Sequence, residues 1–150
     1  MGDIVLTEVE KAYIAGIVDG EGYISIINRR PGADYCVQLG IANTSDVLLV
    51  WLSRKLGVNV SAGEVRGSKL VFGGKYKPLY RIVLHGQKAQ EVVRAIRPYL
   101  IVKASVADNM LAFPVGSFGR SLTEDIKSRR TVCYVLHQIL MGKLTWPEKS

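Results

Sequence analysis

The sequence predicts an α+β fold, in which antiparallel hairpins and helices take turns along one chain. Strand-like runs come two at a time, each pair joined by turn-forming residues; this is the pattern of hairpins and not of a parallel, doubly wound sheet. Helix-start and helix-stop signals fall between the pairs. The 150 residues, 48% of them hydrophobic, suit a single domain (residues 1–150) with a core of its own.

Thr7-Glu8-Val9-Glu10 has the form of a capping box, a Thr with Glu three residues on, and predicts a helix running to about Asp19. From Ala12 onward this helix is apolar all round, so it needs cover on two sides. Its own domain supplies one side and a second subunit can supply the other. Gly20-Glu21-Gly22 ends the helix. Tyr23 to Ile27 favours β-structure, Asn28 to Gly32 reads as a turn, and Tyr35 to Ala42 alternates, with Tyr35, Val37, Leu39 and Ile41 on one face. Asn43-Thr44-Ser45-Asp46 starts a helix over 47–56 that Gly57 closes. A second hairpin is expected from about Val60 to Leu84, turning near Gly73-Gly74. A third helix covers about Gln87 to Ile96 and Pro98 ends it; a fourth runs from near Ile101 to before Pro114, and a last one from about Leu122 to Met141. The order is αββαββα followed by C-terminal helices, with no internal repeat.

The net charge of +7 points to a polyanionic partner. Apolar runs are too short to span a membrane, and Met1 to Thr7 lacks the layout of a signal peptide, so a soluble intracellular protein is expected. Cys36 and Cys133 do not suggest a disulfide framework. His85 and His137 lack zinc-like spacing to cysteine and read as packing or surface residues.

The stretch Tyr13 to Gly22 carries a more specific message. Ile14-Ala15-Gly16-Ile17-Val18-Asp19-Gly20-Glu21-Gly22 resembles the signature helix of the LAGLIDADG homing endonucleases, in its small and hydrophobic positions and in its final Gly-acid-Gly. The αββαββα order that follows is also the order of that fold, so the resemblance covers Thr7 to about Leu111. It implies a curved antiparallel sheet that binds DNA, and a homodimer, because the motif occurs once per chain. Gly16 and Gly20 lie four apart on one helix face, where another backbone can approach closely. Glycine inside a helix costs roughly 1 kcal/mol relative to alanine, so two of them need a reason. Either the helix packs tightly within its own core, or two copies pair across a two-fold axis, with Tyr13, Gly16, Ile17 and Gly20 at the contact.

Pairing would bring two Glu21 carboxylates together, a repulsive arrangement unless a divalent cation shares them. Oxygen donors suit Mg²⁺. By resemblance, Glu21 occupies the place of the family's metal-binding acid, where Asp is more common, and the Gly20 carbonyl can assist it. The expected cofactor is Mg²⁺ or Mn²⁺, with Ca²⁺ supporting binding but not cleavage. Asp19 is expected to act structurally at the helix end. Lys103, after Arg97-Pro98-Tyr99-Leu100-Ile101-Val102, resembles the family's basic residue near the scissile phosphate. Asn43, Thr44 and Ser45 compete for the polar position after the second strand, with Ser45 preferred, although a capping role suits Ser45 or Thr44 equally well.

For DNA reading, strand parity nominates Tyr23, Ser25, Ile27 and Arg29 on the first strand, continuing the side of Glu21, and Gln38 and Gly40 on the second. Glu64, Arg66 and Ser68, with Lys75, Lys77 and Arg81, are nominated on the second hairpin. Arg30 and Lys69, near turns, suit phosphates. The resemblance implies an intron-encoded enzyme that cuts both strands of a long pseudo-palindromic double-stranded DNA target and leaves 3′ overhangs. A splicing cofactor (maturase) bound to intron RNA is the alternative on the same basic face. A regulator that has lost catalysis would lack the acid or the base, and both Glu21 and Lys103 are present.

Overall fold

The structure is a computed structural model and describes residues 4–30, 34–63, 78–116 and 122–144. The elements run α1 (Glu8–Glu21), β1 (Gly22–Arg30), β2 (Asp34–Asn43), α2 (Asp46–Leu56), β3 (Ser61–Gly63), β4 (Leu79–His85), α3 (Gly86–Ile96), a 3-10 turn (Arg97–Tyr99), α4 (Ala104–Ala112) and α5 (Glu124–Leu140). The four strands form one antiparallel sheet in the order β1-β2-β4-β3. The α+β expectation and its αββαββα order hold.

The capping box forms: Thr7 Oγ1 accepts from the Glu10 amide, and the Glu10 carboxylate accepts from the Thr7 amide, both at 3.1 Å. Helix α1 continues two residues past Asp19, to Glu21, because the Gly22 amide donates back to the Ile17 and Val18 carbonyls. The chain then passes directly into β1. A Cβ at Gly22 would lie 2.9 Å from Val18 Cα and 3.2 Å from the Gly40 carbonyl oxygen, so this helix-to-strand junction requires glycine. Strand β1 also exceeds its expected end. Pairing of Asn28 with Tyr35 and of Arg30 with Asp34, across a local irregularity, carries the ladder through what the residue types read as turn.

Alternation places the core on one sheet face. Ile24 pairs with Leu39 and Leu39 with Leu84; Ile26 pairs with Val37, and Ile41 with Ile82. All seven are buried beneath the helices. Ile14, Ala15 and Val18 of α1 meet them, as do Leu49, Leu52 and Leu56 of α2 and Val92, Val93 and Ile96 of α3. The valine, leucine and isoleucine side chains among these contribute about 1.5–3 kcal/mol each when fully buried. The buried Gln90 amide donates to the Met110 and Phe113 carbonyls at 3.1 and 2.8 Å and so satisfies the C-terminal end of α4. Helix α2 stops at Gly57, whose φ of 63° is left-handed and suits glycine. Among the described residues no helix is long and apolar enough to cross a membrane, and the Cys36 and Cys133 thiols are free.

Candidate nucleic-acid interface and cleavage site

Helix α1 buries Ile14, Ala15 and Val18 and leaves its other side open. Val9 is 79% exposed and Tyr13 54%, although the Tyr13 ring meets Trp51 edge-on at 5.4 Å. A Cβ built on Gly16 or Gly20 would meet nothing within 4 Å. Among the described residues nothing packs against these two glycines. They line an open groove of roughly 700 Å³ together with Ala12, Tyr13, Ile17, Glu21, Asn43, Ser45 and Leu48. The four residues nominated for subunit contact and the acid nominated for metal binding thus share one groove.

Glu21 is exposed at the last position of α1. Asn43 donates its amide to Glu21 Oε2, while Asn43 Oδ1 accepts from the Ser45 amide at 2.8 Å. The Ser45 hydroxyl is occupied elsewhere: it caps α2 by accepting from the Leu48 amide at 3.3 Å. Among the three polar candidates it is Asn43, not the preferred Ser45, whose side chain reaches the acid. Residue types alone did not separate them because Glu21 is helical. Strand parity does not run back through Gly22, so the carboxylate meets the row of Asn43, which pairs with Tyr80, and not the row of Tyr23 and Ser25.

Asp19 and Lys103 form the other half of this helix end. The Asp19 carboxylate accepts from the Ile101 and Lys103 amides at 2.8 and 2.9 Å, and Lys103 Nζ donates to the Asp19 carbonyl at 2.7 Å. These bonds hold residues 101–103 as a turn, so α4 begins at Ala104 and not near Ile101. Burial pushes the Asp19 carboxyl up, but the amides of Ile101, Lys103 and Val102 and the Lys103 charge outweigh it and hold the carboxyl below its ordinary value. The lysine also brings positive charge to the negative end of the α1 dipole.

The donor chemistry of this corner fits a hard cation in part. Glu21 is an exposed carboxylate whose Oε1 accepts no hydrogen bond among the described residues, and Gly20 has a carbonyl at the helix end. No group of three or more His, Cys, Asp and Glu side chains able to hold an ion occurs among the described residues. The described residues of one chain thus offer only part of a cation's shell.

The outer sheet face carries most of the described sheet nominees, though not all are free. Gln38 lies between Ser25 and His85 in one row across three strands. Ser25 Oγ is 3.4 Å from Nε2 of the buried His137 on α5, so this hydroxyl is turned toward the helix that packs on β1. Gly40 was expected to face outward as a reader, yet it is buried beneath the Tyr23 ring. A Cβ there would sit 2.1 Å from Tyr23 Cζ, so the glycine makes room for the tyrosine. Ile27 is half-buried, while Arg29, Arg30 and Arg81 are exposed. His85, read as packing or surface, stands exposed on this face against Gln38 at 3.1 Å. Its place opposite Gln38 depends on the register of β2 with β4, which residue types do not reveal. Glu64, Arg66, Ser68, Lys69, Lys75 and Lys77 lie outside the described residues.

No family model matches the chain, and no curated protein matches it either. Solved structures do. The homing endonuclease I-CvuI, in complex with the I-CreI target in the presence of magnesium and with its DNA not cleaved, superposes with a TM-score of 0.62 at 17% identity, covering 95% of this chain and 87% of that one. I-CvuI bound to its own target in the presence of calcium gives 0.61 at 17%, covering 95% and 86%. The archaeal intron-encoded homing endonuclease I-Vdi141I, complexed with DNA, gives 0.59 at 14%, covering 91% and 85%. The similarity extends over nearly the whole chain, C-terminal helices included, and the fold of this chain is that of the LAGLIDADG homing endonucleases.

Proposed function

We propose that the chain is one subunit of a homodimeric, divalent-metal-dependent DNA endonuclease of the homing type. One observation carries the reading furthest: the open glycine face of α1 ends in an exposed carboxylate, and both lie in the same groove. A second copy seated there by a two-fold axis would meet its own α1 and bring the two Glu21 side chains together. Magnesium held by Glu21, the Gly20 carbonyl and phosphate oxygens would polarise the scissile phosphate and lower the pKa of a bound water. Asn43 orients the Glu21 carboxylate. Lys103, anchored at the end of the same helix, offsets charge developing on the phosphate. The outer sheet face, with Arg29, Arg81 and Gln38, enters the major groove, where each base pair presents its own donor and acceptor pattern. Two subunits then read two related half-sites. The target is accordingly a long pseudo-palindrome, cut on both strands to leave 3′ overhangs, as expected for an intron-encoded enzyme.

The test is a cleavage selection on a library of duplex targets with Mg²⁺, followed by the Glu21→Gln variant on the selected target. Cleavage by the variant should fall by more than about 100-fold, beyond the range usual for loss of an outer-shell metal partner, while DNA binding in Ca²⁺ survives. Magnesium-dependent cutting retained by Glu21→Gln would remove the metal role from this residue.

A further inference from the structure

We infer that His85 positions Gln38 as a reader of adenine, the two side chains acting as one unit on the outer sheet face. The inference rests on the DNA-binding reading above and assigns a base preference to one place on that surface.

Gln38 and His85 are directly paired across β2 and β4, and their side chains meet at 3.1 Å between Gln38 Nε2 and His85 Nε2. An amide nitrogen only donates, so the imidazole Nε2 accepts, and the neutral ring carries its proton on Nδ1. Burial and then the charge of nearby Arg29 both push the His85 ring below its ordinary value, which favours the neutral ring.

The geometry of a carboxamide then decides what is left over. A carboxamide nitrogen carries two hydrogens, and the one on the far side from the carbonyl oxygen is assigned to His85. Oε1 and the hydrogen beside it remain as an adjacent acceptor and donor. That pair complements the N6 amino group and N7 of adenine in the major groove, and it mismatches guanine, whose O6 and N7 both accept. A glutamine with a free amide can rotate to offer other faces. Gln38 is instead held by His85 Nε2, which accepts in the tautomer that carries the ring proton on Nδ1.

The experiment is selection of duplexes from a randomised library by the full-length protein in Ca²⁺, followed by sequencing, for wild type, Gln38→Ala, His85→Phe and His85→Gln. Phenylalanine fills the same space without an acceptor, whereas glutamine restores an acceptor oxygen at similar reach. Wild type should prefer adenine at one position in each half-site. Gln38→Ala and His85→Phe should each weaken that preference on the order of ten-fold, the usual worth of a bidentate contact. The other positions should keep their preferences, and His85→Gln should retain the adenine. An adenine preference that survives His85→Phe, or losses by the two variants at two different positions, would overturn the inference and leave DNA binding standing. Failure of wild type to enrich any duplex would overturn the DNA reading and this inference together. His85 is exposed at the end of β4, so unfolding midpoints of the variants should stay close to wild type.

Discussion

At the scale of single residues, the corner around Glu21 divides its work by hydrogen-bonding capacity. Asn43 has both a donor and an acceptor, and it spends one on the Glu21 carboxylate and the other on the Ser45 amide. Ser45 spends its hydroxyl on the first turn of α2. The two residues should therefore fail differently. Asn43→Ala is expected to slow cleavage with little change in DNA affinity, because the carboxylate loses its orienting partner. Ser45→Ala is expected to cost about 1 kcal/mol of stability through the lost cap while cleavage stays near normal. Denaturant midpoints and single-turnover rates separate the two outcomes, and the reverse pattern would return the active-site role to Ser45. Sequence narrowed this position to three residues and could go no further. The choice depends on where a helix hands over to a strand at Gly22, and on backbone atoms of Val18 and Gly40 that no residue pattern displays.

At the scale of elements, the helices were legible where the chain caps itself locally. Thr7 with Glu10, Ser45 and Gly57 all mark ends that the structure reproduces. The start of α4 was not legible, because its preceding turn is held by Asp19, 82 positions or more away in sequence. Likewise, His137 of α5 reaches Ser25 across 112 positions, and no local signal announces that contact. The Asp19 junction has a pH signature. Its carboxyl is held below the ordinary value of 3.8 in the folded protein. The resulting stability is fully present above that value and is lost as pH falls from there through the folded value. Replacing Asp19 with Asn removes the charge and half the acceptor capacity, at a cost of about 1–2 kcal/mol, similar to a lost helix cap. The stability gap between wild type and Asp19→Asn should stay level from pH 7 to about 5 and close below the ordinary carboxylate range. A gap that stays constant down to pH 2 would mean that the Asp19 charge contributes nothing at this junction.

At the scale of the whole molecule, the question is what covers α1. The all-round apolar character of this helix was legible in the sequence. Which of two explanations it reflected was not, since glycines that pack within a core and glycines that face a partner look the same in a string of letters. Among the described residues nothing packs on Gly16 and Gly20, which lie beside exposed Val9 and Tyr13, and this favours the second explanation. That makes Gly16→Leu a discriminating change. Within one chain a Cβ at this position meets nothing within 4 Å among the described residues, and replacing a helical glycine raises helix propensity by up to about 1 kcal/mol, so the isolated fold should be unharmed or slightly stabilised. Against a second α1 pressed close at the same point, the added side chain forces the backbones apart. Sedimentation should then show wild type as a dimer and Gly16→Leu as a folded monomer, with helix content unchanged and double-strand cleavage lost. A dimer of unchanged mass would move the interface away from α1. A wild type that sediments as a monomer would mean that Glu21 works without its twin, and the incomplete donor set of this corner would have to be finished by DNA and water alone.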